Sequence, residues 1–240
     1  MKIILATILF FTSMTTNASD TTTVLQYLVR EPKIKSEHPP VIILLHGVGS
    51  NEADLFSFAN QLPEKYLVIS ARAPISLGGN SFAWYQVDFS TGKPVFNLQQ
   101  EEESRTTLIK FISQIKEKYS VNSNEIYLCG FSQGAIMSYS IGLTHPDLVK
   151  GIAVMSGRLL EEIKLLIATK EKLHSLKVFI SHGINDNTLQ IKYARDANTF
   201  LKTLNINPSF KEYQAGHEIN SDMLSDLIIW LKLTSPEKYK

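Results

Sequence analysis

The chain has 240 residues, 44% hydrophobic and 20% charged, which is enough apolar material for one substantial core and close to the globular average. Its 24 basic residues nearly balance 23 acidic ones, for a formal charge of +1, so no basic field points to nucleic acid and no acidic surplus to a store of cations. A lone cysteine, Cys129, excludes an internal disulfide, and the expected partner is a small molecule.

The chain opens with Met1 and Lys2, continues through a mostly apolar run at 3–14, and then turns small and polar at Thr15, Thr16, Asn17 and Ala18. That order predicts a secretory signal peptide over residues 1–18, with Thr16 and Ala18 at the small positions before the cut. The apolar run falls short of the roughly 20 residues that span a bilayer, so no stable membrane span is expected. Cleavage removes only Lys2 among the charged residues and leaves 23 basic against 23 acidic. The mature chain, residues 19–240, reads as one catalytic domain exported to the periplasm or the medium.

Residues 24–29 alternate enough for an early strand, and the Pro- and Lys-rich 31–40 is a loop. Val41–Leu45 is a continuous apolar run bounded by Pro40 and by His46-Gly47, as a strand buried on both faces would be. A helix is predicted over 51–62, capped by Ser50 or Asn51 and closed by Pro63, followed by a strand at 66–70. Residues 72–96 show no period, carry Gly78-Gly79, and hold Phe82, Trp84, Tyr85, Phe89 and Phe96. A loop that long in a compact domain is usually functional.

Leu98–Tyr119 is the clearest helix, with Leu108, Phe111, Ile112, Ile115 and Tyr119 on one stripe and charges matched to the helix dipole. Next, the strand-like Ile126-Tyr127-Leu128-Cys129 stops at Gly130-Phe131-Ser132-Gln133-Gly134, a G-x-S-x-G motif that opens a small-residue helix over 133–143. This is the pattern of a nucleophile elbow, with Ser132 on a sharp strand-to-helix turn. Cys129 precedes it as a small buried hydrophobe. Further strands fall at Gly151–Met155, 176–180 and Ser209–Tyr213, with helices near 161–173, 191–204 and 223–233 and a frayed tail at 234–240. Strands alternating with helices argue for an α/β fold with a mainly parallel central sheet and helices on both faces.

A serine hydroxyl needs a base within hydrogen-bond reach and a carboxylate to orient that base. In an open parallel sheet these groups collect beyond the carboxyl ends of strands. Two loops so placed carry them: Ser181-His182-Gly183-Ile184-Asn185-Asp186-Asn187, and Gln214-Ala215-Gly216-His217-Glu218. Ser132, Asp186 and His217 then follow the Ser, Asp, His order of an α/β-hydrolase. His217 is the expected base and Asp186 its orienting acid. His46 and His182 are competing bases, but each directly precedes a glycine at a strand end, where a histidine more often packs. No His and carboxylate spacing suggests a metal. The oxyanion donors are expected from the backbone N–H groups of Gln133 and Val48, the latter in His46-Gly47-Val48-Gly49. Phe82, Trp84, Tyr85 and Phe131 are candidate apolar walls for an acyl chain.

Leu45-His46-Gly47-Val48-Gly49, Gly130-Phe131-Ser132-Gln133-Gly134, Ser156-Gly157, His182-Gly183 with Asp186, and Gly216-His217 together resemble the phospholipase/carboxylesterase family that includes the acyl-protein thioesterases, over roughly residues 22–233. The resemblance implies an α/β-hydrolase fold, no cofactor, and hydrolysis of carboxylic or thioester acyl groups with Ser132, Asp186 and His217 as triad and the Trp84 loop at the acyl site. Asn187 stands where that family often has proline, and the secretory segment departs from its cytosolic thioesterases. The expected activity is that of a serine carboxylesterase on small to medium acyl esters. A thioesterase, a lysophospholipase, and a secreted binding protein that kept the fold are the alternatives.

Overall fold

A computed structural model of the chain describes residues 23–88, 90 and 95–235. The predicted signal peptide at 1–18 and the end of the tail at 236–240 lie outside these residues. The continuous apolar runs pair with one another, because a strand apolar on every residue finds partners for both faces only in the middle of a sheet. Seven strands form the main sheet: β1 (Tyr27–Arg30), β2 (Val41–Leu45), β3 (Leu67–Ala71) and, after four short strands described below, β8 (Ile126–Phe131), β9 (Gly151–Met155), β10 (Lys177–Gly183) and β11 (Ser209–Tyr213). Their spatial order is β1-β3-β2-β8-β9-β10-β11, all parallel except β1 against β3.

Successive side chains on a strand face opposite ways, and the core divides accordingly. Val41, Ile43, Leu45, Ile126, Leu128, Ile152 and Val154 join one buried cluster; Ile42, Leu44, Tyr127, Cys129, Ala153 and Met155 join another across the sheet. On the first face pack α2 (Leu98–Tyr119), α3 (Gln133–Thr144) and α5 (Ile191–Thr203); on the second pack α1 (Glu52–Phe56) and α6 (Ser221–Thr234). Helix α3 is buried along residues 133–143, which explains why its sequence shows no polar stripe. Cys129 is wholly buried, and the apolar surroundings push its thiol pKa up.

Four expectations need correction. The helix predicted at 51–62 is a single α-helical stretch, α1, capped by the Asn51 side chain on Ala53 N–H, followed by a separate 3-10 turn at Ala59–Gln61. Its apolar residues reach the core without one continuous helix. Residues 72–96 are not all loop: β4 (Ile75–Gly78) pairs with β5 (Ser81–Ala83), turning through Gly78 and Gly79, and β6 (Val87–Asp88) pairs with β7 (Val95–Phe96). Both glycines have positive φ, which allows the tight reversal, and the strands are too short to show a period. The helix predicted near 161–173 divides into a 3-10 stretch at Glu162–Leu166 and α4 (Lys170–Leu173). Thr234, assigned to a frayed tail, ends α6, and Ser235 beyond it is buried.

The chain leaves β2 to one side for β3 and returns on the other side as β8, so the order reverses between β2 and β8. Such a reversal opens a crevice at the carboxyl ends of the strands. The register Leu45↔Gly130 and Phe131↔Met155 brings the ends of β2, β8 and β9 to one rim.

Candidate active site

Ser132 stands at that rim with φ 52 and ψ −114, a conformation that side chains rarely adopt. It is held there from both sides: its N–H donates to Met155 O at 3.0 Å, and its carbonyl accepts from Ile136 N–H at 3.1 Å as the first bond of α3. The turn is tight enough that a Cβ on Gly130 would overlap the Gly134 carbonyl, and one on Gly134 would overlap the Leu45 carbonyl. Only glycine fits at either position, which gives the motif its physical basis.

The structure brings Ser132, His217 and Asp186 together from three loops. His217 Nε2 lies 2.9 Å from Ser132 Oγ, and its Nδ1 lies 2.7 Å from Asp186 Oδ2. The acid is fixed in turn: Asp186 Oδ1 accepts from Thr188 N–H and Leu189 N–H, both at 2.8 Å. This closed turn holds Asp186 without a proline at 187. The two loops also abut, since Ile184 N–H donates to Tyr213 O at 2.8 Å and Asn185 N–H to Ala215 O at 3.0 Å.

The two competing histidines, His46 and His182, are engaged elsewhere. His46 accepts from Ala73 N–H through Nε2 at 3.0 Å, so Nδ1 carries its proton and donates to Gly47 O at 2.8 Å. Burial pushes its pKa down and keeps it neutral. His182 is buried within β10, and its Nε2–H donates to Leu189 O at 2.6 Å while lying 3.3 Å from Asp186 Oδ2. Desolvation depresses its pKa as well, with the Asp186 charge pulling the other way. It steadies the Asp186 turn. His46 steadies the loop after β2.

That loop is strapped to the 81–85 segment. Gly49 N–H donates to Phe82 O and Phe82 N–H to Ser50 O, each at 2.8 Å, and Trp84 Nε1–H donates to His46 O at 3.0 Å. The Gln133 side chain completes the frame by accepting from Trp84 N–H at 2.8 Å and donating to Tyr85 O at 2.7 Å. Gln133 N–H begins α3 and has no acceptor within the helix, so it is available toward a ligand beside Ser132. Val48 is exposed at the mouth, next to Gly47, whose Cβ position faces Ser132.

Of the four candidate acyl walls, the structure separates two roles. Phe131 lies with its ring 5.0 Å from the His217 imidazole, and Tyr85 lines a cleft of about 650 Å³ together with Val48, Leu77, Ala83, Val87, Val95 and Phe96. Trp84 does not line that cleft: it is fully buried in the core, an indole spent on bracing His46. Phe82 turns its ring under the Arg72 guanidinium, 4.6 Å away, and serves the site through its backbone. The bracing side chains of Gln133, Trp84 and His46 carry no local sequence signal, because their partners are backbone atoms far along the chain. Among the described residues no cluster of three or more His, Cys, Asp or Glu side chains is arranged to hold a metal.

A nucleophile elbow, a serine-histidine-aspartate relay and a glycine loop beyond β2 form one constellation, and residues 28–235 match the family model described as phospholipase/carboxylesterase. The chain belongs to this family. Members act as hydrolases of ester bonds, and this chain is such a hydrolase, with an α/β-hydrolase fold. Among its relatives is a probable carboxylesterase SOBER1-like of Arabidopsis thaliana, 27% identical over 245 aligned positions that cover 95% of this chain and 90% of that protein. Another is acyl-protein thioesterase 1 of Mycosarcoma maydis, 26% identical over 236 positions covering 89% and 98%. The Bacillus cereus carboxylesterase structure superposes with a TM-score of 0.78 at 21% identity, over 90% of this chain and 97% of its own, a likeness of fold. The relay around Ser132 lies within the span that matches the phospholipase/carboxylesterase family.

Proposed function

We propose that the protein is an exported serine carboxylesterase that hydrolyses small to medium acyl esters through an acyl-enzyme on Ser132. The observation that carries this reading is the unbroken chain of contacts from Ser132 Oγ to His217 at 2.9 Å and from His217 to Asp186 at 2.7 Å. His217 takes the hydroxyl proton as Ser132 attacks the ester carbonyl, then returns it to the leaving alcohol. Asp186 holds the ring in the tautomer that leaves Nε2 free to accept, and stabilises the imidazolium while it lasts. The oxygen of the tetrahedral intermediate sits between Gln133 N–H and Val48 N–H. Water then repeats the sequence on the acyl-enzyme and frees the acid. No cofactor is needed for any of these steps.

The cleft beside Val48 is apolar on most of its lining, which supports an acyl chain of modest length. A thioester or lysophospholipid substrate is the second reading, favoured by the likeness to a protein named acyl-protein thioesterase 1. Export rests on the pattern of residues 1–18, and intact mass of the protein recovered outside the cytoplasm, beginning at Ser19, tests it.

A panel of 4-nitrophenyl esters and acyl thioesters, run with the wild type and Ser132→Ala, tests the activity. Ester turnover falling by about 10³-fold or more in the variant supports the reading. Turnover that survives the substitution removes it, and a higher kcat/KM on thioesters than on matched esters transfers the assignment to the second reading.

A further inference from the structure

The segment that joins β5 to β6, residues 84–86, belongs to no strand, yet it forms part of one wall of the cleft: Ala83, Tyr85, Gln86 and Val87 all line it. Buried backbone groups without a ladder must find their hydrogen bonds elsewhere. Here side chains from two helices supply them. The Gln133 amide accepts from Trp84 N–H at 2.8 Å and donates to Tyr85 O at 2.7 Å. From α2, the Ser104 hydroxyl donates to Trp84 O, and Gln100 accepts from Gln86 N–H at 2.8 Å.

Gln133 differs from the two α2 residues in where it stands. It directly follows Ser132, opens α3 and is itself buried, so its amide is spent on the wall while its backbone N–H stays available beside the nucleophile. An amide that both accepts and donates fixes the segment at two consecutive residues. An apolar side chain of the same length would leave both buried backbone groups unmet. One short side chain therefore links the neighbour of Ser132 to a wall of the cleft that opens at Val48.

We infer that the Gln133 side chain is a positioning residue that determines specificity: by tying Trp84 and Tyr85 to the elbow it fixes the cleft relative to Ser132, and so sets how much an ester gains from a longer acyl chain. This inference rests on the reading of Ser132 as the nucleophile and of the cleft as the acyl site. A preformed cleft turns contacts along the chain into correct placement of the carbonyl, and a misplacement of about 1 Å costs on the order of a hundredfold in rate. An acetyl group makes few of those contacts and a hexanoyl group many. Chain-length preference, rather than activity alone, therefore reports on the two Gln133 bonds.

kcat and KM are measured on 4-nitrophenyl acetate, butyrate and hexanoate for the wild type, Gln133→Met and Ser104→Ala. Methionine matches glutamine in length but has no N–H to donate and only a weak acceptor, while Ser104→Ala frees Trp84 O and leaves the elbow sequence intact. The hexanoate-to-acetate ratio of kcat/KM is expected to fall about tenfold in Gln133→Met and by less, in the same direction, in Ser104→Ala, with kcat on hexanoate carrying part of the loss. A ratio within about twofold of wild type in both variants overturns the inference. So does an equal loss on all three esters, which is what a brace for the fold or for the oxyanion donor alone produces. Should Gln133→Met not fold, the ratio in Ser104→Ala decides in the same way. Turnover that survives Ser132→Ala is a failure of the esterase reading, whereas an unchanged ratio in a protein whose turnover depends on Ser132 is a failure of this inference alone.

Discussion

Asp186 shows how much of the site depends on one carboxylate. Its two oxygens accept from Thr188 N–H, Leu189 N–H and His217, with His182 3.3 Å away, so it sets both the shape of its loop and the tautomer of the base. Asp186→Asn keeps the shape but offers an amide N–H in place of an acceptor toward His217, and kcat is expected to fall by about 10³–10⁴ with the circular dichroism spectrum retained. A loss of less than tenfold would place the orienting acid elsewhere. Buried His46 and His182 make a separate prediction. Both have depressed pKa values in the fold, so the unfolded chain binds more protons than the native one once the pH drops below the ordinary value of about 6.5. The stability linked to these groups is therefore fully present above that pH and is lost as pH falls toward the lowered native values. Urea midpoints measured from pH 7.5 to 5 should decline, and His46→Gln should flatten part of the slope. A midpoint that rises on acidification in wild type would contradict the neutral assignment of both rings. Ser132, Asp186 and His217 were legible at this scale because each follows an apolar run and belongs to a motif or a chain order. The bracing roles of His46, Trp84 and Gln133 were not legible, because a bond to a backbone atom 27 to 49 residues away leaves no mark on neighbouring residues.

The elbow is the turn that joins β8 to α3 at the crevice. Since a Cβ on Gly134 would overlap the Leu45 carbonyl, Gly134→Ala must push α3 away from β2 and carry His46 and Gly47 with it. A loss of about 3 kcal/mol or more in urea unfolding is expected, with activity falling further than stability alone explains. Full activity in a stable Gly134→Ala protein would show that the strand and helix are not packed as described. The long elements were readable from sequence for the same reason they are rigid: β2, β8 and β9 are apolar on both faces, and α2 carries a clear stripe and charges matched to the helix dipole. The short ones were not. Strands of two to four residues, such as β4 to β7, and single helical turns at 59–61 and 162–166 are set by tertiary contacts and glycine turns rather than by any period in the chain.

At the scale of the molecule, the reversal of strand order between β2 and β8 places a glycine loop, a strained serine and two acid-base loops at one rim, and the two buried clusters on either face keep that rim fixed. The mainly parallel sheet followed from alternating strands and helices, and the phospholipase/carboxylesterase family from the resemblance carried jointly by the His46-Gly47 loop, the elbow, Ser156-Gly157 and the His182 and His217 loops. The proposed chemistry rests on three side chains converging there. Reaction of the folded protein with a fluorophosphonate, read by intact mass and peptide mapping alongside ester turnover, tests that convergence most directly. One adduct per chain, on Ser132, formed in step with the loss of turnover and absent from Ser132→Ala, is the predicted result. An unlabelled protein, or a label on another residue with turnover intact, would contradict it.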